Sequence, residues 1–125
     1  MIDISNTSSN QQQTIGKPIS IRGIGLHTGT EVTMKLYPAK VDYGIKFVRK
    51  DIKDNNVIEA LWSNVSSTKL STTISNQIGT SVSTIEHLMS ALSGLHIDNI
   101  KIEIDGPEVP IICLLYTSPS PRDNR

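Results

Sequence analysis

The stretch Ser83–Asp105, STIEHLMSALSGLHIDNIKIEID, changes its hydrophobic period halfway along, and that change decides the fold class. In the first part Ile85, Leu88, Met89 and Leu92 fall at i, i+3, i+4 and i+7, the apolar stripe of an amphipathic helix. Ser83 followed three residues later by Glu86 reads as a capping box at its start, and Gly94 as its stop. In the second part Ile100, Ile102 and Ile104 alternate with Lys101, Glu103 and Asp105, a strand with one buried face.

Upstream, the same period of two recurs. KPISIRG (17–23) alternates Ile19 and Ile21 with Ser20 and Arg22, and VTMKLYP (32–38) sets Val32, Met34 and Leu36 against Thr33 and Lys35. YGIKFVR (43–49) places Ile45 and Phe47 on one face, while VIEALWSNV (57–65) fits neither period well. TKLSTTIS (68–75) and TSVST (80–84) read as extended segments joined by the turn-rich NQIG. Many strands and one clear helix predict an α+β fold, a two-layer sandwich in which helix covers one face of a mostly antiparallel sheet.

Bulk composition narrows the function classes. Twelve basic and twelve acidic residues cancel, so no global field favours nucleic acid. Aromatic residues are only 4%, which leaves Ile, Val and Leu to build the interior. The single cysteine, Cys113, excludes an internal disulfide framework and fits a reducing compartment. No apolar run reaches membrane-spanning length, and MIDISNTSSNQQQ (1–13) has neither the basic nor the apolar part of a secretory signal. The expectation is a cytoplasmic domain over residues 14–112, after a disordered polar lead-in over 1–13. Residues 113–125 break from what precedes them. CLLYTSPSPRD (113–123) matches, residue for residue, the translation of a sequencing-library adapter, so this tail is expected to be non-native.

Two places offer chemistry. GIGLHTG (23–29) has the glycines of a dinucleotide loop but not the spacing, and a strand pattern follows where a helix N-terminus is required. It reads as a tight turn that carries His27. Glu86 and His87 begin the helix. Glu86 has a structural explanation in the capping box, and His87 lies roughly 160° from the centre of the apolar stripe, where a histidine is ordinarily just solvated. The alternative is a carboxylate and an imidazole presented to a cleft. Neutral imidazole is a common zinc ligand, and a helix N-terminus favours a negative charge beside it. Adjacent helical residues diverge by about 100°, so one would act as ligand and the other as base. The zincin spacing is absent, since Ala91 stands where its second histidine belongs.

GLHTG followed by EHLMSAL, IDN, a glutamate and PI, in that order, resembles the UDP-3-O-acyl-N-acetylglucosamine deacetylases, the zinc amidases of bacterial lipid A synthesis. The resemblance runs from about Gln13 to Ile111. It implies Zn2+ with His87 as a ligand and Glu86 as the general base. It also implies that Leu70 and Ser71 line the edge of the active site and that His27 lies near the cleft as a substrate-binding residue. The implied substrate is an acylated UDP-N-acetylglucosamine, and the implied fold is the first of two similar domains. The family's remaining zinc ligands, its acid histidine and its acyl channel belong to a second domain that this sequence does not show. The chain is therefore expected to be a truncated, inactive fragment with some apolar sheet surface uncovered. A non-catalytic interaction module that keeps only the fold is the alternative.

Overall fold

The alternating run around Ile102 forms the centre of a sheet rather than its edge. In this computed structural model, which describes residues 11–110, the elements are β1 (Ile19–Ile24), β2 (Glu31–Pro38), β3 (Ile45–Arg49) and β4 (Val57–Glu59). There follow a short 3₁₀ turn (Trp62–Asn64), β5 (Val65–Ser67), β6 (Thr73–Ser75), β7 (Ser81–Ser83), α1 (Glu86–Gly94) and β8 (Ile100–Ile104). Five strands order as β1-β2-β8-β3-β4. β8 pairs antiparallel with β2, Ile102 opposite Leu36, and parallel with β3, Ile102 opposite Phe47. Ile100, Ile102 and Ile104 have no solvent exposure, as expected for a central strand packed on one face.

The α+β expectation holds, with one addition. β5, β6 and β7 make a separate three-stranded sheet, where the sequence reading had one sheet. Each of β6 and β7 contributes a single buried residue, Ile74 and Val82. These join Ile85, Leu88 and Leu92 of the helical stripe and the inner face of the main sheet in one core. The buried Arg49 links the two sheets. Its Nη1 donates to the carbonyl of Ser81 at 2.8 Å, while Nε and Nη2 form a bidentate pair with Asp51 at 2.9 and 2.7 Å. That hydrogen bond from Arg49 holds the Asp51 carboxyl below the usual carboxylate range.

The opposite face of the main sheet is polar and self-paired at its centre, where β2 meets β8. Lys35 stands across from Glu103, Lys101 Nζ lies 3.2 Å from Glu103, and the same ammonium sits over the Tyr37 ring. Apolar surface is exposed on the edge strands at Ile19, Ile24 and Val57, and more of it on the loops and the 3₁₀ turn, at Leu26, Trp62, Leu70, Ile78 and Leu95. VIEALWSNV resolves into β4, the 3₁₀ turn and β5 in succession, and only Thr73–Ser75 of TKLSTTIS is extended. The polar lead-in falls outside the described residues over 1–10. Gln12 and Gln13 hydrogen-bond to Asp42, Asp98 and Asn99. The adapter-like tail, Cys113 included, also lies outside the described residues.

Candidate active site at the start of the helix

The capping box does not form. Ser83 is the last residue of β7, with its N–H and Oγ both directed at the carbonyl of Pro107. Glu86 is the first helical residue, not the third, and the N-cap residue Ile85 makes no side-chain cap. The reason is tertiary: Thr84 turns the chain sharply at φ +60°, and Thr72 takes over the capping. The Thr72 carbonyl accepts from the Ile85 N–H at 3.3 Å, and the Thr72 N–H donates to Glu86 Oε1 at 3.2 Å. The far end differs too. Gly94 is the last helical residue, and the left-handed position belongs to His96 at φ +59°. The N–H groups of His96 and Ile97 donate to the carbonyls of Ser93 and Leu92, the pattern of a Schellman motif.

Glu86 and His87 are both exposed, side by side on the first turn of α1. Glu86 forms the rim of an apolar cleft of about 190 Å³ between the 3₁₀ turn, with Leu61 and Trp62, the strand residue Val65, and Met89 of the helix. Leu70 and Ser71 lie in the loop between β5 and β6. Thr72, next to them, carries the two hydrogen bonds to the helix start, so that loop is tied to Glu86. Leu70 itself is 83% exposed.

His27 reaches the same region by another route. Its Nδ1 lies 2.8 Å from Glu108 Oε2 and 3.4 Å from the Thr84 hydroxyl, two residues before Glu86. Glu108 has no solvent exposure. It accepts from the backbone N–H groups of His27 (2.9 Å) and Thr28 (3.0 Å) and from the hydroxyl of Thr84 (2.9 Å). Burial pushes its carboxyl up, but these donors together with the His27 ring outweigh burial and hold it at about 2. Sequence reasoning gave this residue no role. The signals in the sequence are its place as the glutamate before PI in the family-like motif and a lone carboxylate set between prolines in the otherwise uncharged run GPEVPI.

The glycines of the loop divide their work. Gly29 takes the left-handed angle, φ +71°. Gly25 instead permits a close approach, because a Cβ there would stand 2.5 Å from both Glu108 Oε1 and Thr28 Oγ1. Gly25→Ala is therefore expected to lower stability by about 1–3 kcal/mol. Gly16→Ala, which meets nothing within 4 Å, is expected to leave it within about 0.5 kcal/mol. Paired urea-unfolding curves check both.

Among the described residues, no group of three or more His, Cys, Asp or Glu side chains is close enough to hold a metal ion. His87 therefore stands as a single candidate donor. Among the same residues, no helix is long and apolar enough to cross a membrane.

Residues 12–113 match the family model described as UDP-3-O-acyl N-acetylglycosamine deacetylase. The chain belongs to this family. Among its relatives, the UDP-3-O-acyl-N-acetylglucosamine deacetylase of Syntrophotalea carbinolica is 54% identical over 101 residues, 81% of this chain and 32% of that protein. That of Myxococcus xanthus is 49% identical over 105 residues, 84% of this chain and 33% of the relative. That of Geobacter sp. strain M21 is 54% identical over 101 residues, 81% and 33%. The chain thus spans about a third of the length of the deacetylases it matches.

Proposed function

We propose that this chain carries the general base and one metal ligand of a zinc-dependent deacetylase. The reaction is hydrolysis of the N-acetyl group of an acylated UDP-N-acetylglucosamine to acetate and a free amine, in lipid A synthesis, in the cytoplasm. The observation that supports it is the placement of Glu86 and His87 together on one exposed helical turn, beside an apolar cleft, in a chain of this family. Glu86 is braced by the Thr72 N–H through one oxygen, which leaves the other free to take a proton from an attacking water. The apolar wall made by Leu61 and Met89 limits bulk water on one side of that carboxylate.

His87 suits the part of one zinc ligand, being exposed at the helix start. A catalytic zinc ordinarily has three protein ligands, so the others have to come from outside the described residues. When bound, zinc would supply Lewis acidity toward water and the amide carbonyl. The 125-residue chain alone is therefore expected to be inactive and a poor zinc binder. The test is a chimera in which residues 12–110 replace the matching segment of the Geobacter relative. Such a chimera is expected to deacetylate the sugar nucleotide and to hold zinc. His87→Ala in the chimera is expected to remove the metal. Elemental analysis that still finds one zinc per chain would refute the ligand assignment.

A further inference from the structure

The most unusual group in this molecule is one that the proposed reaction does not use, the fully buried carboxylate of Glu108. Its backbone is fixed to the strand that leads into α1. Residues Ser83 and Glu108 form a parallel bridge, Ser83 N–H donates to the carbonyl of Pro107, and Val109 N–H donates to that of Ser83. Its side chain reaches the other way and takes hold of the glycine loop through the N–H groups of His27 and Thr28. Thr84, held in the left-handed region that a β-branched residue avoids, completes the cluster by donating its hydroxyl to the same oxygen that meets the His27 ring. Loop and helix start are thus joined through one carboxylate.

This arrangement dictates the chemistry of His27. An ionised carboxylate only accepts, so the ring nitrogen 2.8 Å away must carry the hydrogen. Nε2 then holds the lone pair of the neutral ring. It has no hydrogen-bond partner among the described residues, and the side chain is 40% exposed. We propose that Glu108 is a positioning residue that fixes His27 beside the start of α1 as the Nδ1–H tautomer, so that Nε2 accepts a hydrogen bond from a hydroxyl or N–H of the sugar substrate. The substrate half of this statement rests on the deacetylase reading. The tautomer half does not.

Two measurements test it. Long-range 1H–15N correlation spectra of the 125-residue chain, taken about two pH units above the ordinary histidine pKa of about 6.5, identify the protonated ring nitrogen. His27 is expected to show Nδ1–H. In Glu108→Gln the amide NH2 replaces the oxygen that faces the ring, and His27 is expected to switch to Nε2–H. An Nε2–H ring in the unsubstituted chain overturns the proposal, whether or not the variant folds. The second measurement is a double-mutant cycle in the chimera. Glu108→Gln alone is expected to lower kcat/KM by about ten- to a hundred-fold, the scale of a hydrogen bond lost with its partner left unpaired. Added to His27→Ala it is expected to cost nothing further, because it acts through that ring. Additive losses would show that Glu108 only supports the fold, and would overturn the positioning role. If the unsubstituted chimera is inactive, the deacetylase reading fails while the spectra still decide the tautomer.

Discussion

Glu86→Gln in the chimera is expected to lower turnover by about two to four orders of magnitude and to leave the unfolding midpoint almost unchanged. The size is that of a general base whose proton-accepting oxygen is lost. The small stability effect follows from the geometry, because the amide oxygen of Gln can still accept from the Thr72 N–H, and the residue is exposed. The competing account, in which Glu86 serves only the helix, requires the reverse pattern. There, Glu86→Ala would cost about 1 kcal/mol and turnover would stay intact. Steady-state rates and urea curves on the same preparations separate the two. A turnover loss below tenfold would remove Glu86 from the chemistry.

The second large effect is on stability against acid. The Glu108 carboxyl is held at about 2 in the folded chain, against an ordinary value of 4.5. Since the folded value is the lower one, the unfolded chain takes up the proton first as pH falls. The stabilisation is therefore complete above about pH 4.5 and disappears as the pH drops toward about 2, and it amounts to at most about 3 kcal/mol. Glu108→Gln is expected to lower stability at neutral pH by a comparable amount, since the NH2 meets a backbone N–H where an oxygen stood. In return, the variant should lose this part of the acid dependence. Unfolding free energies measured from pH 7 down to about 2 should converge for the two proteins. Curves that run parallel throughout would mean the carboxyl is not ionised in its buried setting.

The parts of the fold that were legible are those where one strand or helix reports its own environment. Ile100, Ile102 and Ile104 alternate because the central strand packs on one side only, and Ile85, Leu88 and Leu92 repeat because one helix face meets the core. That β5, β6 and β7 form a sheet of their own was not legible, although TKLSTTIS and TSVST read as extended segments joined by a turn. Its strands are three residues long, and β6 and β7 carry one buried side chain each among Ser and Thr while β5 carries none, too few for a period to show. The capping box failed for a different reason. Ser83 and Glu86 had the right spacing, but Pro107 and Thr72, both distant in sequence, claimed them first. The same limit hid Glu108, whose partners lie 24 to 81 residues away. Local sequence shows which residues want a partner, and only the assembled chain shows which partner they obtain.

The order of the main sheet has a temporal consequence. β1 with β2, and β3 with β4, are antiparallel neighbours in sequence and can each form early as hairpins. The strand that separates and joins them, β8, comes about fifty residues after β3 and is synthesised last of the strands among the described residues. Until Ile100–Ile104 leave the ribosome, Met34, Leu36 and Phe47 have no central strand against which to close. Such sequence-distant pairing folds slowly, in the range of milliseconds to seconds, and it leaves open hairpin edges exposed to other nascent chains in the interval.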